Sequence, residues 1–151
     1  MFGGGRYHFY LPYGSKIALR LYAIDKAESY AHEMLITAET EKDESCNWNY
    51  GNAIHDSHNI LGRVALRRGD IDAAKKHLIQ AGRTKGSPQL DTFGPSMVLA
   101  KELLEKGESE TVLKYLDLCK VFWEMDYGAL DKWKTDINIG RVPDFGASLY
   151  H

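Results

Sequence analysis

The sequence predicts an all-α fold, built from antiparallel helical hairpins with about six helices. Apolar residues recur along most of the chain at the three- and four-residue spacing of one helix face. No stretch alternates apolar and polar residues as a strand does. Glycine or proline stands at most breaks in the pattern, as expected between short-linked helices. The length of 151 residues suits one domain.

The predicted elements run from an irregular N-terminal arm to an extended C-terminal tail. The arm covers residues 1–14, a helical domain covers residues 15–140, and the tail covers residues 141–151. Within the domain, helices are expected over residues 15–40, 52–68, 71–81, 95–106, 109–125 and 128–138, with longer loops over 41–51 and 82–95.

Capping and breaking residues support these boundaries. Ser15 can cap the first helix, because its hydroxyl can accept a hydrogen bond from the free backbone amides of the first turn. Pro95 suits the first turn of the fourth helix, where its missing N–H is not needed. Glycines follow the second, third, fourth and sixth helices and adopt the left-handed conformation of a helix end at little cost, at Gly69, Gly82, Gly107 and Gly140.

Composition limits the classes of function. A formal net charge of −2, and basic residues that are not interleaved with aromatic ones, argue against a nucleic-acid partner. No apolar run approaches the ~20 residues that a membrane helix needs, so no membrane association is expected. The two cysteines, Cys46 and Cys119, form no disulfide framework and fit a reducing compartment. Because the start carries no signal-peptide pattern, the simplest expectation is a cytoplasmic protein.

The chain contains an internal repeat. The segment LGRVALRRGDIDAAKKHLIQA at 61–81 aligns without a gap with LAKELLEKGESETVLKYLDLC at 99–119, at an offset of 38 residues. Apolar and glycine positions coincide in the two copies: Leu61, Ala65, Leu66, Gly69, Ala74, Leu78 and Ala81 align with Leu99, Leu103, Leu104, Gly107, Val112, Leu116 and Cys119. The alignment predicts two helical hairpins of one design, over about residues 52–81 and 94–125.

This repeat resembles the tetratricopeptide repeat, whose helix pair carries the pattern W-x2-L-G-x2-Y…A-x3-F…P. Leu61 and Gly62 match its L-G pair, Ala74 its alanine and Leu78 its large apolar position, whereas His58 replaces the tryptophan. The offset exceeds the ~34 residues of that family. The resemblance implies hairpins stacked as a short right-handed solenoid. The strings NYGNAIH, LGRVALRRGD, GSPQL and FGPSM are also similar to a group of short bacterial tetratricopeptide-like proteins, which implies the same fold and no activity.

The segment WNYGNAIHDSHNILGR, residues 48–63, carries most of the candidate site residues. In tetratricopeptide domains one polar face of this helix lines a concave groove, and some of them grip a peptide carboxylate there. Amide and guanidinium groups suit that task, because they donate hydrogen bonds to carboxylate oxygens. The predicted groove residues are Asn52, Asp56, Asn59, Arg63, Arg67 and Lys101. The sequence therefore predicts an adaptor or scaffold that binds a protein or peptide segment; the alternative is a polar face that is merely solvated.

His55 and His58 leave another interpretation open. His58 is expected on the packing face, whereas His55 lies between two faces and is expected to be half-exposed. Zinc needs three or four protein ligands, and the chain has neither a Cys-x-x-Cys nor a His-Glu-x-x-His string. No metal, cofactor or catalytic residue is therefore expected. A metal-binding or small-molecule-binding protein, or an enzyme that uses these two histidines, stays an alternative, and so does a self-assembling module such as a homodimer.

Overall fold

The computed structural model describes residues 23–41 and 48–150. Within these ranges the chain is all-helical and holds no strand, which confirms the predicted class. The α-helices are α1 (Ile24–Glu41), α2 (Trp48–Arg67), α3 (Ile71–Gly82), α4 (Pro88–Phe93), α5 (Val98–Glu105), α6 (Ser109–Phe122) and α7 (Ala129–Asn138), and a 3-10 helix covers Gly146–Leu149. None of the helices in the described ranges has the length and apolar character required to cross a membrane.

Some predictions fall on residues that are not described. The N-terminal arm over 1–14, the beginning of the first predicted helix with its cap Ser15, and Cys46 all lie outside the described ranges. The described part of that first helix begins at Ile24 and ends at Glu41, close to the predicted end.

Helix α2 begins earlier than the sequence predicts. Residues 48–51, expected to lie in a loop, form its first turn, so Gly51 is helical. A Cβ at Gly51 would lie 2.0 Å from the carbonyl oxygen of Gly86, so this glycine permits a close approach of two backbones. A Cβ at Gly62 would lie 2.3 Å from Cδ2 of Leu99 on α5. The glycines of α2 therefore determine how closely other segments pack against it.

The long loop predicted after α3 contains a short helix. The hydroxyl oxygen of Ser87 caps α4 by accepting a hydrogen bond, and Pro88 occupies the first turn. A serine followed by a proline is a helix start that the prediction overlooked. The helix predicted to begin at Pro95 begins instead at Val98, and Pro95 is buried in the segment between α4 and α5. The proline that marks a helix start is therefore Pro88 of α4, and not Pro95.

Two apolar clusters hold the helices together. The smaller cluster joins α1 to α2 around Met34 and Ile60, with small alanines on both helices. The larger cluster joins α3, α5, α6 and α7 and includes Leu78, Tyr115 and Trp133. Burial of each large apolar side chain contributes about 1.5–3 kcal/mol. Since α2 contacts α1, α3 and α5, only a narrow side of it is left for polar groups.

The C-terminal tail, predicted to be extended, folds back onto the helices. It contains the 3-10 helix Gly146–Leu149. Phe145 is buried with its ring edge against Trp133 of α7, at 5.0 Å between ring centroids. The Met97 N–H donates to the Ser148 carbonyl at 2.9 Å, at the start of α5. Apolar residues of the tail thus cover the last helix, which removes both surfaces from water.

Candidate functional site

A polar surface runs along α2 and the neighbouring α5. The positions on α2 share one side of the helix, since they are separated by nearly whole turns. Helix α5 packs against α2 and adds two partly exposed charged residues. We call this surface the α2–α5 face. It comprises Asn52, Asp56, Arg63, Arg67, Lys101 and Glu102.

The two arginines of this face meet one carboxylate. Nε of Arg63 donates to Oε1 of Glu102 at 2.6 Å, and Nη1 of Arg67 donates to Oε2 at 2.8 Å. The side chains are 20%, 28% and 23% exposed for Arg63, Arg67 and Glu102, so the pairs are partly shielded from water. Charge-assisted bonds of this kind are stronger than neutral ones. The face is therefore able to hold a carboxylate between two guanidinium groups.

Asn52 is occupied by a structural contact. Its Oδ1 accepts from the Ser87 hydroxyl at 2.6 Å, and its Nδ2 donates to Oε1 of Gln89 at 3.4 Å. The adjacent Gly51 carbonyl accepts from the Thr84 hydroxyl at 2.7 Å. These bonds attach the segment before α4 to the first turns of α2. Asn52, predicted as a groove residue, hence positions α4.

Asn59 was predicted to line the groove, and the structure corrects this. Its side chain is 5% exposed and its Nδ2 donates to the His55 carbonyl at 2.9 Å. Its Oδ1 is buried and has no hydrogen-bond partner among the described residues. The prediction assumed one packing face for α2, whereas α2 contacts α1, α3 and α5, and Asn59 is buried beside His55 on a second side. Asp56 remains partly exposed.

His55 is buried instead of half-exposed, with 1% of its surface accessible. Its Nδ1 lies 3.1 Å from the Ala81 carbonyl, and its Nε2 accepts from the Ser96 N–H at 2.9 Å. Because the carbonyl can only accept, Nδ1 carries the proton and the ring is neutral. The hydroxyl of Tyr115 donates to the Ser96 carbonyl at 2.8 Å and extends the network. His55 therefore joins α2, the end of α3 and the segment before α5.

The thiol of Cys119 and the phenol of Tyr115 are poorly suited to nucleophilic or acid–base catalysis. Burial raises the pKa of the Cys119 thiol, and burial likewise raises the pKa of Tyr115 well above its ordinary value. A nucleophilic cysteine needs the opposite shift, toward thiolate at neutral pH. Cys119 is fully buried on α6, where it packs as a small apolar side chain.

His58 was expected to be packed in the core, and it is only half-buried. Its Nδ1 lies 3.1 Å from Nδ1 of His77 on α3, with 5.3 Å between the ring centroids. Burial, and then the charges of His77 and His55, lower the pKa of His58 to about 4. Burial and the charge of His32 on α1 also lower the pKa of His77. His55 and His58 accordingly belong to two different environments and do not form one site.

The sequence does not predict two of the important partners, Glu102 and Ser96. The contact of His58 with His77 is within reach of the sequence, because a helical hairpin that turns at Gly69 puts α3 opposite α2. Glu102 directly follows a predicted groove residue, but nothing local indicated that it would meet two arginines. Within residues 23–41 and 48–150, no three or more histidine, cysteine, aspartate or glutamate side chains form a group that could hold a metal ion.

The comparisons with known proteins identify no relative. No family model, no curated protein and no solved structure matches the chain significantly. Evidence on function therefore comes from the residues and contacts described above.

Proposed function

We propose that the protein is a helical-repeat module that binds a carboxylate-bearing peptide or protein segment at its α2–α5 face, as an adaptor or scaffold without catalysis of its own. The observation that carries the proposal is the convergence of Arg63 and Arg67 on the carboxylate of Glu102. Two guanidinium groups in this arrangement match the planar geometry of a carboxylate.

A tetratricopeptide-like arrangement is the second part of the proposal. The turns after α2 and α5 are alike, with Gly69 at φ 79° and Gly107 at φ 84°. Asp70 N–H donates to the Ala65 carbonyl at 2.9 Å, and 38 residues later Glu108 N–H donates to the Leu103 carbonyl at 3.0 Å. Helix α2 packs against α5 and α3 packs against α6, as equivalent helices of stacked hairpins do. These contacts support a short solenoid of two hairpins.

The charges of the face favour an anionic ligand. Glu102 uses one nitrogen of each arginine, and a guanidinium group has five N–H donors. The remaining donors can bind the carboxylate of a ligand, either beside Glu102 or in place of Glu102. Lys101 adds a positive charge and has no ion-pair partner among the described residues. Arg63, Arg67 and Lys101 thus form the core of the proposed site, while Asn52 and Asn59 support the fold.

A capture experiment tests the proposal. Wild type and the Arg63→Glu/Lys101→Glu variant are used as bait in native lysate, with Lys76→Glu/Lys132→Glu as a control of equal charge change at exposed positions. The wild type and the control should capture a shared set of proteins that the site variant loses. Peptides from a captured protein should bind less when their carboxylates are amidated. Identical sets for all three baits would overturn the groove assignment.

Self-assembly is a second candidate, favoured by exposed apolar side chains. Val121 and Tyr127 are 82% and 87% exposed near the end of α6. Large exposed apolar groups of this kind mark contact surfaces when they are contiguous. Light scattering that finds a monomer at all protein concentrations would count against a homodimer. The remaining alternative, a site made of His55 and His58, finds no support, because both ring nitrogens of His55 are engaged inside the core.

A further inference from the structure

Three neighbouring helices of this protein each bring one histidine to the same region. His58 on α2 and His77 on α3 are in contact, and His32 on α1 lies close enough for its charge to act on His77. His58 and His77 are half-buried and His32 is exposed. Imidazole nitrogen is the commonest protein ligand of zinc, copper and nickel. Nothing in the proposed peptide-binding face uses any of these three residues.

The spacing of the contacting nitrogens suits a shared metal ion. Nδ1 of His58 and Nδ1 of His77 lie 3.1 Å apart. Two nitrogens that are each ~2.05 Å from one ion are about 3.3 Å apart in a tetrahedron and about 2.9 Å apart at a right angle. The observed separation falls between these values. The ion would sit beside the line that joins the nitrogens, so each ring would rotate to turn its Nδ1 lone pair from that line toward the ion.

The protonation state of the pair also suits a metal. When both rings are neutral, one Nδ1 carries a proton in the present hydrogen bond, and the Nδ1 of the other ring accepts that bond with its lone pair. On metal binding that proton moves through solvent to Nε2 of its own ring. Both Nδ1 lone pairs then face the ion, and the pair releases no net proton.

We propose that His58 and His77 form a two-imidazole site for a divalent transition-metal ion, with water in the remaining coordination positions. No third histidine, cysteine or carboxylate completes a cage among the described residues, so the site is open and its affinity is modest. Of the divalent first-row ions it binds Cu²⁺ most tightly, as nitrogen ligands generally do. This inference is independent of the proposed peptide binding.

Metal titration of three variants tests the proposal. The full-length wild type, His77→Asn, His58→Asn and the control His32→Asn are titrated with Ni²⁺, Zn²⁺ and Cu²⁺ by calorimetry. Asparagine is chosen because its side-chain amide can keep a hydrogen bond near the place of Nδ1 while removing the metal ligand. Loss of an outer-shell partner already weakens metal binding by about 10- to 100-fold, so loss of one of two ligands should weaken it at least about tenfold.

The expected pattern separates this site from metal binding elsewhere in the chain. Wild type and His32→Asn should bind one ion with similar affinity and gain thermal stability from it, whereas His77→Asn and His58→Asn should lose both effects. The electron paramagnetic resonance spectrum of bound Cu²⁺ should report two imidazole nitrogens in wild type and one in His77→Asn. Circular dichroism before titration checks that each variant is folded; if one variant fails to fold, the other carries the test. Unchanged binding by the folded histidine variants, or no binding by wild type, overturns the proposal.

Discussion

At the scale of single residues, the buried polar side chains act as links between helices. His55 bonds to the end of α3 and to the segment before α5, and Asn52 bonds to Ser87 at the start of α4. Helix ends and irregular segments leave backbone groups without internal partners, and such groups must be satisfied when they are buried. The polar density of α2 is explained largely by this requirement. Among the candidate site residues of α2, Asp56 stays partly exposed, and Arg63 and Arg67 link α2 to α5 by their pairs with Glu102.

Replacing His55 by leucine should lower the free energy of unfolding by about 3 kcal/mol. The Ala81 carbonyl and the Ser96 N–H would each lose a buried partner, at about 1–3 kcal/mol apiece. Urea unfolding followed by circular dichroism measures the change. His32→Leu, at an exposed position, is the control and should stay within about 0.5 kcal/mol of wild type. A His55→Leu protein as stable as the wild type would contradict the linking role.

The errors at this scale have one cause. Helical periodicity assigns each residue an angle around the axis, and the prediction assumed that one range of angles is buried. Helix α2 is instead packed on several sides, by α1, α3 and α5. His55 and Asn59 fall on a side that the prediction left exposed, while His58 falls at an edge that it had buried. The partnership of Glu102 with two arginines depends on how α2 and α5 pack, which no local pattern encodes.

At the scale of elements, glycines control how closely segments approach each other. Gly51 meets the backbone of Gly86, Gly62 meets Leu99, and a Cβ at Gly94 would lie 2.5 Å from the Trp123 ring. Each contact connects segments that are distant in the chain. The turn glycines differ, since Gly107 has φ 84° and open space where its Cβ would be. One residue type therefore serves two purposes in this fold, close packing and left-handed turns.

Replacing Gly51 by alanine should destabilise the protein by about 2 kcal/mol, because the added methyl group would lie 2.0 Å from a backbone oxygen and force a shift. Helix propensity alone would favour alanine by about 1 kcal/mol, so the steric contact and the propensity predict opposite signs for the change in stability. Gly107→Ala is the matched control. It meets no steric contact and should cost about 1–2 kcal/mol through its left-handed backbone. Thermal or urea unfolding decides, and a stabilised Gly51→Ala variant would refute the close approach.

The element boundaries were largely predictable where the signal is local. The start of α3, the end of α2 and the start of α6 agree with the prediction to within a residue. The exceptions are the early start of α2, the existence of α4, the late start of α5 and the early end of α6. The first two both involve the contact of Gly51 and Asn52 with Thr84 and Ser87, in the segment before α4. A first turn that contains a glycine and a helix of six residues are both weakly indicated by local sequence. Tertiary contacts stabilise the first turn of α2 and helix α4.

At the scale of the whole molecule, the histidines make stability depend on pH. His58 contacts His77 across α2 and α3, and the charge of His32 on α1 acts on His77. Protonating His58 in the folded state puts a charge in a half-buried place beside other imidazoles. In the unfolded chain His58 is exposed to water, so its protonation carries no such cost. Acid therefore favours the unfolded state through this group of residues.

The free energy of unfolding should fall as pH drops from about 6.5 toward 4 in metal-free protein. The pKa of His58 is about 4 in the folded state, against an ordinary value of 6.5. In that interval the unfolded state binds more protons, so the stability contributed by neutral His58 is complete above pH 6.5 and is lost on acidification. The pKa of His77 moves in the same direction. Urea unfolding at several pH values in EDTA, for wild type and His58→Asn/His77→Asn, measures the effect. The carboxylates titrate in both proteins, so an equal loss in the two would contradict the role of the pair.

The sequence by itself determined the all-α class and most of the helix boundaries. These follow from the spacing of apolar residues, from capping residues and from glycines, all of which act within a few positions of the chain. The tertiary structure decided which histidine is buried, that Arg63 and Arg67 share Glu102, that His58 meets His77, and that the tail covers α7. These outcomes depend on which helices pack together and at what angle. Local spacing places a residue on a side of its helix, but only the packing of distant segments determines what that side contacts.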